Sequence, residues 1–518
     1  MAKEFNQTEY GDYQTPKELS LKVCNVLKNL YYPQSILEPN CGKGSFLISS
    51  AEIFENLKIL KGFDVNAEYV KDCKNSLEKY KISYDIQEKN FFNIDWGEVI
   101  ENLPKPLLVL GNPPWVTSSG IGVLGGDNLP QKSNFQGHKG FDALTGKSNF
   151  DISEWMLIHL LKNMQNQEIL AMLCKTSVAR KSLKHAWKNN FAIENAKIYN
   201  IDAKQYFNVS TDACLLVCEF SINKNKHRKN AKIYNDLENL EEIGEIYFDG
   251  KNIVNLRKTN YELEGEIIIP WRSGIKHDCS KVMELTKQEN NILLNGLKEK
   301  TNIEQKYLFP LLKSSDVAKG NIDEVRKLVI VTQEYVGQDT EIIQEQAPLT
   351  WEYLENHSQY LDARKSVIYK NKPKFSIFGI GDYSFAKYKL AISGLYKSLE
   401  FKIIRPIHNK PVMLDDTCYF LPCDSKEQCE FLYKILNTNI AKQHFEKYIF
   451  WDSKRPITAD VLHKMDLIKL SKILGFEKEA YFFFRTHINL KDNDISAYKT
   501  NKKKDIIKTP INIQLLIY

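Results

Sequence analysis

The chain of 518 residues is longer than one ordinary domain core, so we expect two or more domains. Its hydrophobic fraction of 43% and aromatic fraction of 11% exclude a largely disordered protein. The formal charge of +6 permits a polyanionic partner without requiring one. Apolar runs stay below the ~18 residues of a membrane helix. The N-terminus also lacks a signal-peptide core, so we expect a cytoplasmic protein with no membrane partner.

Residues 1–220 alternate short apolar runs with helical patterns, which is typical of an α/β domain with a parallel sheet. The pattern predicts helices and strands in alternation, with a glycine turn after the first strand. The segments that carry this pattern are 16–30, 35–54, 57–66, 70–80, 107–115, 151–164, 168–174 and 212–220.

Residues 111–150 differ in composition, since eight of these forty residues are glycine and the tetrapeptide KSNF occurs twice. A loop of this length in a compact domain is often functional, and the alternative is a disordered insertion. We favour a functional loop over 116–150, because lysines and aromatics are interleaved directly after the sequence GNPPW.

After residue 225 the alternation fades, and short strands mix with aromatic and basic residues. The polar segment SINKNKHRKNAKIYN (221–235) predicts a surface hairpin or a domain boundary. We divide the chain into an α/β domain over 1–265 and a mixed α+β domain over 266–518. A Lys-rich stretch, YKTNKKKD, lies near the C-terminus.

The ten cysteines are scattered without a CxxC pair, and no histidines complete a zinc pattern around them. The closest spacings are Cys214 with Cys218 and Cys418 with Cys423. We predict reduced, structural thiols and no metal site.

The segment EPNCGKGSF, between a predicted strand and a helix, is typical of a nucleotide-type cofactor site. Gly42 and Gly44 would let the backbone turn tightly and approach a ligand at the start of the helix. Asp64 ends the next strand, 22 residues past Gly42, where an acidic residue binds ribose hydroxyls in doubly wound folds. The alternatives are a plain tight turn at the glycines and a helix cap or turn residue at Asp64.

Glu38 separates the classes of cofactor. A carboxylate beside the glycine turn would repel a pyrophosphate, whereas it suits a ligand that carries an ammonium group. S-adenosylmethionine has an amino-acid tail, a sulfonium and no phosphate, so it is favoured over NAD, FAD and ATP. The absence of GxxxxGK[ST] is a further argument against ATP.

Six motifs in this order together resemble the gamma-class, Taq-like DNA adenine-N6 methyltransferases of restriction-modification systems. They are QTPKELS (14–20), ILEPNCGKGSFL (36–47), GFDVN (62–66), KNFFNID (89–95), GNPPW (111–115) and FNVSTDACLLV (207–217). The resemblance covers most of residues 12–220. YLFPLLKSSDV (307–317) and AKYKLAISGLYKSLEF (386–401) are similar, more weakly, to segments of that family's target-recognition domain.

The resemblance implies a Rossmann-like class I methyltransferase domain, with a doubly wound and mostly parallel sheet, followed by a mixed α+β target-recognition domain. It implies S-adenosylmethionine as cofactor and double-stranded DNA as partner, in a prokaryotic cytoplasm. We expect a monomer on DNA and a separate cognate restriction endonuclease. The short stretch before the first motif leaves no room for a fused N-terminal nuclease, and no PD-(D/E)xK arrangement follows.

The chemistry explains the sequence GNPPW. An adenine amine is a poor nucleophile until acceptors draw on its N–H groups, and the Asn112 side-chain oxygen and the Pro113 carbonyl can supply two. Pro113 and Pro114 would fix the direction of these acceptors. Trp115 offers a stacking face for an extruded base. By resemblance, Phe207 stacks from the other side or along an edge, and core packing is its alternative.

The resemblance also assigns cofactor contacts. Thr15 would touch the methionine portion, Glu38 the amino group and Asp64 the ribose. Asn90 and Phe91 would hold the adenine, although relatives often have Asp at position 90 and Phe91 could simply pack in the core. The expected cofactor site further includes Asn40, Cys41, Gly42, Gly44 and Asn112.

Three alternatives remain. NPPW-type motifs also occur in enzymes that methylate RNA bases or protein glutamine, but those chains are usually shorter and would leave the C-terminal half without a purpose. Cytosine N4 is a second option, although it more often accompanies SPPY. A non-catalytic DNA-binding specificity subunit with a methylase fold is the third, and the intact GNPPW, glycine turn and Asp64 argue against it.

Overall fold

The computed structural model of the protein describes residues 14–116, 151–256, 261–288 and 292–485. The chain forms two compact units, residues 1–256 and 257–518. This division lies nine residues before the boundary predicted at 265. Leu263 is buried in a core cluster of the second unit, and its carbonyl accepts from the Asp466 N–H at 2.8 Å. The glycine-rich loop predicted over 116–150, from residue 117 on, and the Lys-rich C-terminal stretch lie outside the described residues.

The first unit alternates helices and strands as the sequence pattern predicts. Its described helices are Lys17–Lys28 (α1), Ser45–Ile53 (α2), Ala67–Leu77 (α3), Trp96–Glu101 (α4), Ile152–Asn163 (α5), Thr176–Lys188 (α6) and Ala203–Phe207 (α7). Its described strands are Ser35–Glu38 (β1), Ile59–Asp64 (β2), Ser83–Glu88 (β3), Leu107–Gly111 (β4), Glu168–Lys175 (β5), Ile193–Ile201 (β6), Ala213–Phe220 (β7), Asn230–Tyr234 (β8), Glu242–Phe248 (β9) and Ile253–Asn255 (β10).

These strands form one sheet in the order β10-β9-β8-β6-β7-β5-β4-β1-β2-β3. Strands β3, β2, β1, β4 and β5 run parallel, and β7 is antiparallel to both β5 and β6. Strands β4 and β5 are almost wholly buried, as expected where helices cover both faces of a parallel sheet. The predicted doubly wound α/β fold is confirmed.

The sheet continues beyond the predicted α/β rhythm. Residues 221–235 contain β8, which pairs in parallel with β6 and antiparallel with β9. The prediction of a domain boundary in this segment is wrong, because β8 to β10 complete the edge of the first unit's sheet.

The order of the strands reverses at β1, which has β2 on one side and β4 on the other. Glu38 pairs with Gly62, and Leu37 pairs with Val109. The carboxyl ends of these three parallel strands therefore lie side by side. Open α/β sheets bind ligands outside the carboxyl ends of their strands at such a switch point.

The second unit is a mixed α+β structure, as predicted. Its described strands are Arg272–Ser273 (β11), Glu284–Lys287 (β12), Leu293–Leu294 (β13), Lys300–Thr301 (β14), Leu308–Leu312 (β15), Lys327–Ile330 (β16), Tyr388–Ser393 (β17), Lys402–Ile404 (β18), Met413–Leu414 (β19) and Cys418–Cys423 (β20). They form two sheets, β11-β20-β17-β18 and β14-β13-β12-β16-β15-β19.

The described helices of the second unit are short, with 11 residues in the longest. The described ones are Ser280–Met283 (α8), Ser314–Lys319 (α9), Ile342–Gln346 (α10), Pro348–Asn356 (α11), Ser358–Asp362 (α12), Lys426–Leu436 (α13), Asn439–Glu446 (α14), Ala459–Leu462 (α15), Leu467–Ile473 (α16) and Glu477–Phe484 (α17). Across the described parts of both units, no helix combines the length and the apolar character needed to cross a bilayer. All ten cysteines are buried and free of disulfides.

Candidate active site

The glycine turn follows β1 at the switch point of the sheet. Gly42 and Gly44 have positive φ angles of 50° and 83°, and Gly44 caps α2. A Cβ on Gly44 would overlap the sulfur of Cys73, and one on Gly42 would lie 2.7 Å from Oε1 of Gln14. Gly44 therefore requires glycine for backbone conformation and for space, whereas Gly42 is favoured by its positive φ, because the end of the Gln14 side chain could move aside.

Asp64, at the end of β2, holds this turn in place. Its Oδ2 accepts from the Gly42 N–H at 2.8 Å, and its Oδ1 accepts from the Asn66 N–H at 2.9 Å. Asn66, and not Asp64, is the N-cap of α3, so the helix-cap alternative for Asp64 is wrong. A carboxylate offers about four acceptor positions, so Asp64 can also accept from ligand hydroxyls.

Glu38 is a buried carboxylate beside the turn, with 3% of its surface exposed. Among the described residues, no group donates a hydrogen bond to its Oε2, or to the buried Oδ1 of Asn40. Burial raises the pKa of Glu38 well above its usual value, and the nearby Cys73 and Asp64 add to this, while the Leu47 N–H opposes it.

Two buried oxygens without a donor among the described residues carry an energetic cost that a donor-bearing ligand would remove. The residues around the turn therefore fit a cofactor that presents an ammonium group. Cys41, whose thiol hydrogen-bonds to Cys73, is buried at the base of this turn and packs rather than faces solvent.

Asn112 follows β4 directly, next to Glu38. A Cβ on Gly111 would lie 3.6 Å from Cγ of Glu38, which shows how closely the ends of β4 and β1 approach. The Asn112 Nδ2 donates to the Thr15 hydroxyl at 3.3 Å, and the Gln14 side-chain oxygen accepts from the Lys43 N–H at 3.3 Å. Residues 14 and 15 thus connect the NPPW segment with the glycine turn.

The aromatic side chains predicted to bind the base lie in contact. The ring centroids of Trp115 and Phe207 are 5.1 Å apart, with an angle of 65° between their planes. Trp115 is 7% exposed, and Phe207 is the last residue of α7. The structure thus has Phe207 at the edge of the indole rather than parallel to it. Pro113 is buried and Pro114 is half-buried between Asn112 and Trp115.

Asn90 and Phe91 lie after β3, whose end is tied to β2 by a hydrogen bond from the Lys89 N–H to the Asp64 carbonyl at 2.9 Å. The Asn90 Oδ1 caps the short helical turn that follows by accepting from the Phe92 N–H at 3.0 Å. Phe91 is 5% exposed and packs on Trp96, with ring centroids 4.6 Å apart. Core packing is thus a substantial part of what Phe91 does.

Sequence reasoning missed an aromatic pair on α5. Trp155 stacks on His159, with centroids 4.9 Å apart and planes 8° apart, and both rings are half-buried. Trp155 also meets Phe92 at 5.1 Å and Phe91 at 6.1 Å. The i, i+4 spacing of two aromatic residues in DISEWMLIH was the available signal.

Sequence reasoning also missed Lys175 and Asp151. The Lys175 ammonium donates to the main-chain oxygen of Trp115 at 3.1 Å and to Oδ2 of Asp151 at 2.5 Å. Isolated Lys and Asp residues so far from the NPPW sequence carry no local signal of this contact. Within the described residues, no cluster of His, Cys, Asp and Glu could hold a metal ion.

Comparison with known proteins gives three findings. The sequence model of a family described as N-6 DNA Methylase matches residues 2–296. The Type II methyltransferase M.NspV from Nostoc sp. is 44% identical over 480 residues, which is 91% of this chain and 99% of that protein. The solved structure of the Type IIL restriction-modification enzyme MmeI in complex with DNA shares the fold. Its TM-score is 0.54 at 12% identity, covering 98% of this chain and 74% of MmeI.

Proposed function

Because the chain belongs to the N-6 DNA methylase family and uses S-adenosylmethionine to methylate adenine N6 in DNA, we propose that it modifies a flipped-out adenine within a specific double-stranded sequence. We propose that the reaction takes place at Asn112. The observation that carries this is the position of Asn112, which is bonded to Thr15 and directly follows Gly111, the end of β4 that approaches Glu38 at the switch point.

The cofactor supplies an electrophilic methyl group on its sulfonium. The Glu38 Oε2 and the Asn40 Oδ1 would accept from its ammonium group, since both atoms are buried and have no donor among the described residues. Asp64, which holds the turn by accepting from the Gly42 and Asn66 amides, would also accept from the ribose hydroxyls. Thr15 would border the methionine portion.

The adenine ring of the cofactor would lie near the end of β3. Phe91 and the half-buried Trp155 give this region an apolar surface. Asn90, whose side-chain oxygen accepts from the Phe92 N–H, would accept from the adenine amine. Cys41, Gly42 and Gly44 form the backbone of the turn that the cofactor would approach.

For catalysis, the substrate amine must be aligned and its electrons must become available. The Asn112 side-chain oxygen and the Pro113 carbonyl would accept its two N–H bonds, which favours the tetrahedral nitrogen that attacks a methyl group. The bond from Nδ2 to Thr15 directs the Asn112 oxygen away from Thr15, and Pro113 and Pro114 restrict the backbone. Positioning and electrostatics then carry the rate.

Extruding a base from a duplex costs a few kcal/mol. Stacking on an aromatic face returns about 1–3 kcal/mol per base. Trp115 would supply this face. Phe207 would hold the indole from its edge, in line with the edge-to-face contact of the two rings.

The second unit is proposed as the target-recognition domain. The segments YLFPLLKSSDV and AKYKLAISGLYKSLEF, which resemble that domain's sequences, contain β15 with α9 and β17. We further propose that the protein acts as a monomer in the cytoplasm and that a separate endonuclease recognises the same DNA sequence. The Type II designation of the Nostoc relative supports this partner.

The experiment is to incubate unmodified plasmid DNA with the enzyme and S-adenosylmethionine and to map modified bases by long-read sequencing. We expect N6-methyladenine in one defined motif. Asn112→Ala should bind the cofactor like the wild type, as measured by calorimetry, and lose most of its turnover. Modification of RNA or protein alone, or full activity of Asn112→Ala, would contradict the proposal. A protein that binds DNA but no cofactor would identify a specificity subunit instead.

A further inference from the structure

Lys175 is the last residue of β5, and its side chain reaches the NPPW segment across 60 positions of sequence. Its ammonium donates to the main-chain oxygen of Trp115 at 3.1 Å and pairs with Asp151 at 2.5 Å. The side chains of Lys175 and Asp151 are 22% and 9% exposed. The pair is therefore largely shielded from water, where a charge-assisted hydrogen bond to a carbonyl is stronger than at the surface.

Asp151 is itself held in place by the start of α5. Its Oδ1 accepts from the Ser153 N–H at 3.2 Å, as the N-cap of the helix. The next residue, Ile152, donates its N–H to the carbonyl of Val116 at 2.9 Å. The exit of the NPPW segment is thus bonded to β5 through Lys175 and to α5 through Ile152.

The prolines restrict the backbone before Trp115, but nothing covalent fixes the peptide that follows it. Rotation of the Trp115–Val116 peptide would move the indole face and, through Pro114, the Pro113 carbonyl. The Lys175 ammonium binds the oxygen of this peptide and so opposes its rotation. A group that holds reacting atoms in place contributes through alignment, where an error of about 1 Å can cost 10²-fold in rate.

We propose that Lys175 is a positioning residue for methyl transfer, which holds the Trp115 carbonyl so that the indole and the Pro113 carbonyl face the extruded adenine. This inference rests on the proposed function, because it takes the NPPW segment as the reaction site. The competing explanation is a structural ion pair that contributes to folding alone.

The chain offers a matched control at the opposite end of the same strand. The Lys105 ammonium pairs with Glu168, the first residue of β5, at 2.5 Å and donates to the carbonyl of Ile100 at 2.6 Å. The side chains of Lys105 and Glu168 are 25% and 4% exposed. Both lysines therefore connect a buried carboxylate with a main-chain carbonyl, but only Lys175 reaches the NPPW segment.

The test compares Lys175→Met with Lys105→Met in the full-length enzyme. We expect similar decreases in melting temperature and unchanged cofactor affinity by calorimetry. In single-turnover assays on duplex DNA, Lys175→Met should be slower by about 10–100-fold and Lys105→Met close to wild type. With 2-aminopurine at the target position, Lys175→Met should also show an altered fluorescence change on binding.

A single-turnover rate for Lys175→Met within threefold of that for Lys105→Met would overturn the inference.

If Lys175→Met does not fold, Asp151→Asn is tested instead, because asparagine keeps the hydrogen bond to the Ser153 N–H and weakens the interaction with the Lys175 ammonium. It should slow the reaction at least threefold, and a wild-type rate would again overturn the inference. Asn112→Ala separates the two proposals. If Asn112→Ala keeps full activity, the proposed reaction site is rejected. If Asn112→Ala loses activity while Lys175→Met keeps a normal rate, only the role of Lys175 is rejected.

Discussion

The rings of Trp115 and Phe207 meet edge to face, 5.1 Å between centroids and 65° between planes. A base between two parallel rings needs them about 7 Å apart, twice the contact distance of two carbon atoms. The observed contact therefore leaves no slot for a base between these rings. It favours a base that stacks on the indole without entering between the two rings, with Phe207 supporting the indole from its edge.

This arrangement predicts unequal roles for the two aromatic residues. Trp115→Leu, which keeps an apolar side chain but removes the stacking face, should lower kcat/KM on duplex DNA about tenfold or more. Phe207→Leu should cost several-fold less, because leucine still fills the space beside the indole. Steady-state kinetics on a duplex oligonucleotide measures both variants. A larger loss for Phe207→Leu would contradict the edge-support role.

Glu38 predicts a pH dependence of stability in the cofactor-free enzyme. Its pKa is raised in the folded state, so the folded protein keeps a proton that the unfolded chain releases as the pH rises above glutamate's ordinary pKa. The contribution of Glu38 to the unfolding free energy therefore falls by up to about 1.4 kcal/mol per pH unit until the raised pKa is reached. Glu38→Gln should be more stable than wild type over that range in urea titrations. An equal pH slope in both proteins would disprove this.

The raised pKa of Glu38 also leads us to predict that cofactor affinity depends on pH. Pairing with an ammonium requires an ionised Glu38, so binding of the cofactor releases a proton below the raised pKa. The affinity for S-adenosylmethionine should rise with pH from glutamate's ordinary pKa up to the raised pKa of Glu38, by up to tenfold per unit. Calorimetry at each pH measures this slope. Glu38→Gln should bind about 10–100-fold more weakly near neutral pH and lose the slope.

We predict that Asp64→Asn lowers stability, whereas Glu38→Gln raises it. Both of its oxygens accept backbone N–H groups, from Gly42 and from Asn66. Asp64→Asn would set a side-chain NH₂ against one of these donors and leave a donor unpaired. We expect the unfolding free energy to fall by about 1–3 kcal/mol, with weaker cofactor binding. Thermal unfolding of the two isosteric variants checks this contrast, and a stabilised Asp64→Asn would refute the role of Asp64 in the turn.

We predict that replacing Gly44 lowers the free energy of unfolding for two separable reasons. Gly44→Ala places a methyl group against Cys73 and keeps a backbone φ of 83° that alanine disfavours. The backbone part should cost about 1–2 kcal/mol and the overlap about 1–3 kcal/mol. The double variant Gly44→Ala with Cys73→Ala should recover the overlap part only. Denaturant titration measures both, and the absence of any recovery would show that Cys73 is not the obstacle.

Much of the site was predictable because its signals are local. The alternation of apolar runs and helical patterns predicts the α/β fold, and the glycines at 42 and 44 predict a tight turn. The carboxyl ends of consecutive parallel strands must meet at one edge, so Glu38, Asp64 and Asn112 could be placed near one another. The helix-cap alternative for Asp64 failed because Asn66 performs that role.

Other features depend on contacts between distant segments. Lys175 reaches Trp115 only because β5 lies beside β4 in the sheet, and the pairing order of strands is a property of the whole fold. Trp155 meets Phe92 only because α5 packs against the segment after β3. The C-terminal limit of the first unit also depends on strand pairing, because β8 to β10 extend the same sheet beyond β6.

The sequence by itself determined the chemistry of this protein: a glycine turn with an acidic residue on either side, and a rigid Asn-Pro-Pro-Trp segment after a buried strand. Residue type and spacing along a few positions suffice for that. The tertiary structure decided which groups position the glycine turn and the Asn-Pro-Pro-Trp segment. Long-range hydrogen bonds such as those of Lys175 and Thr15 form only when the strands are paired in the folded sheet.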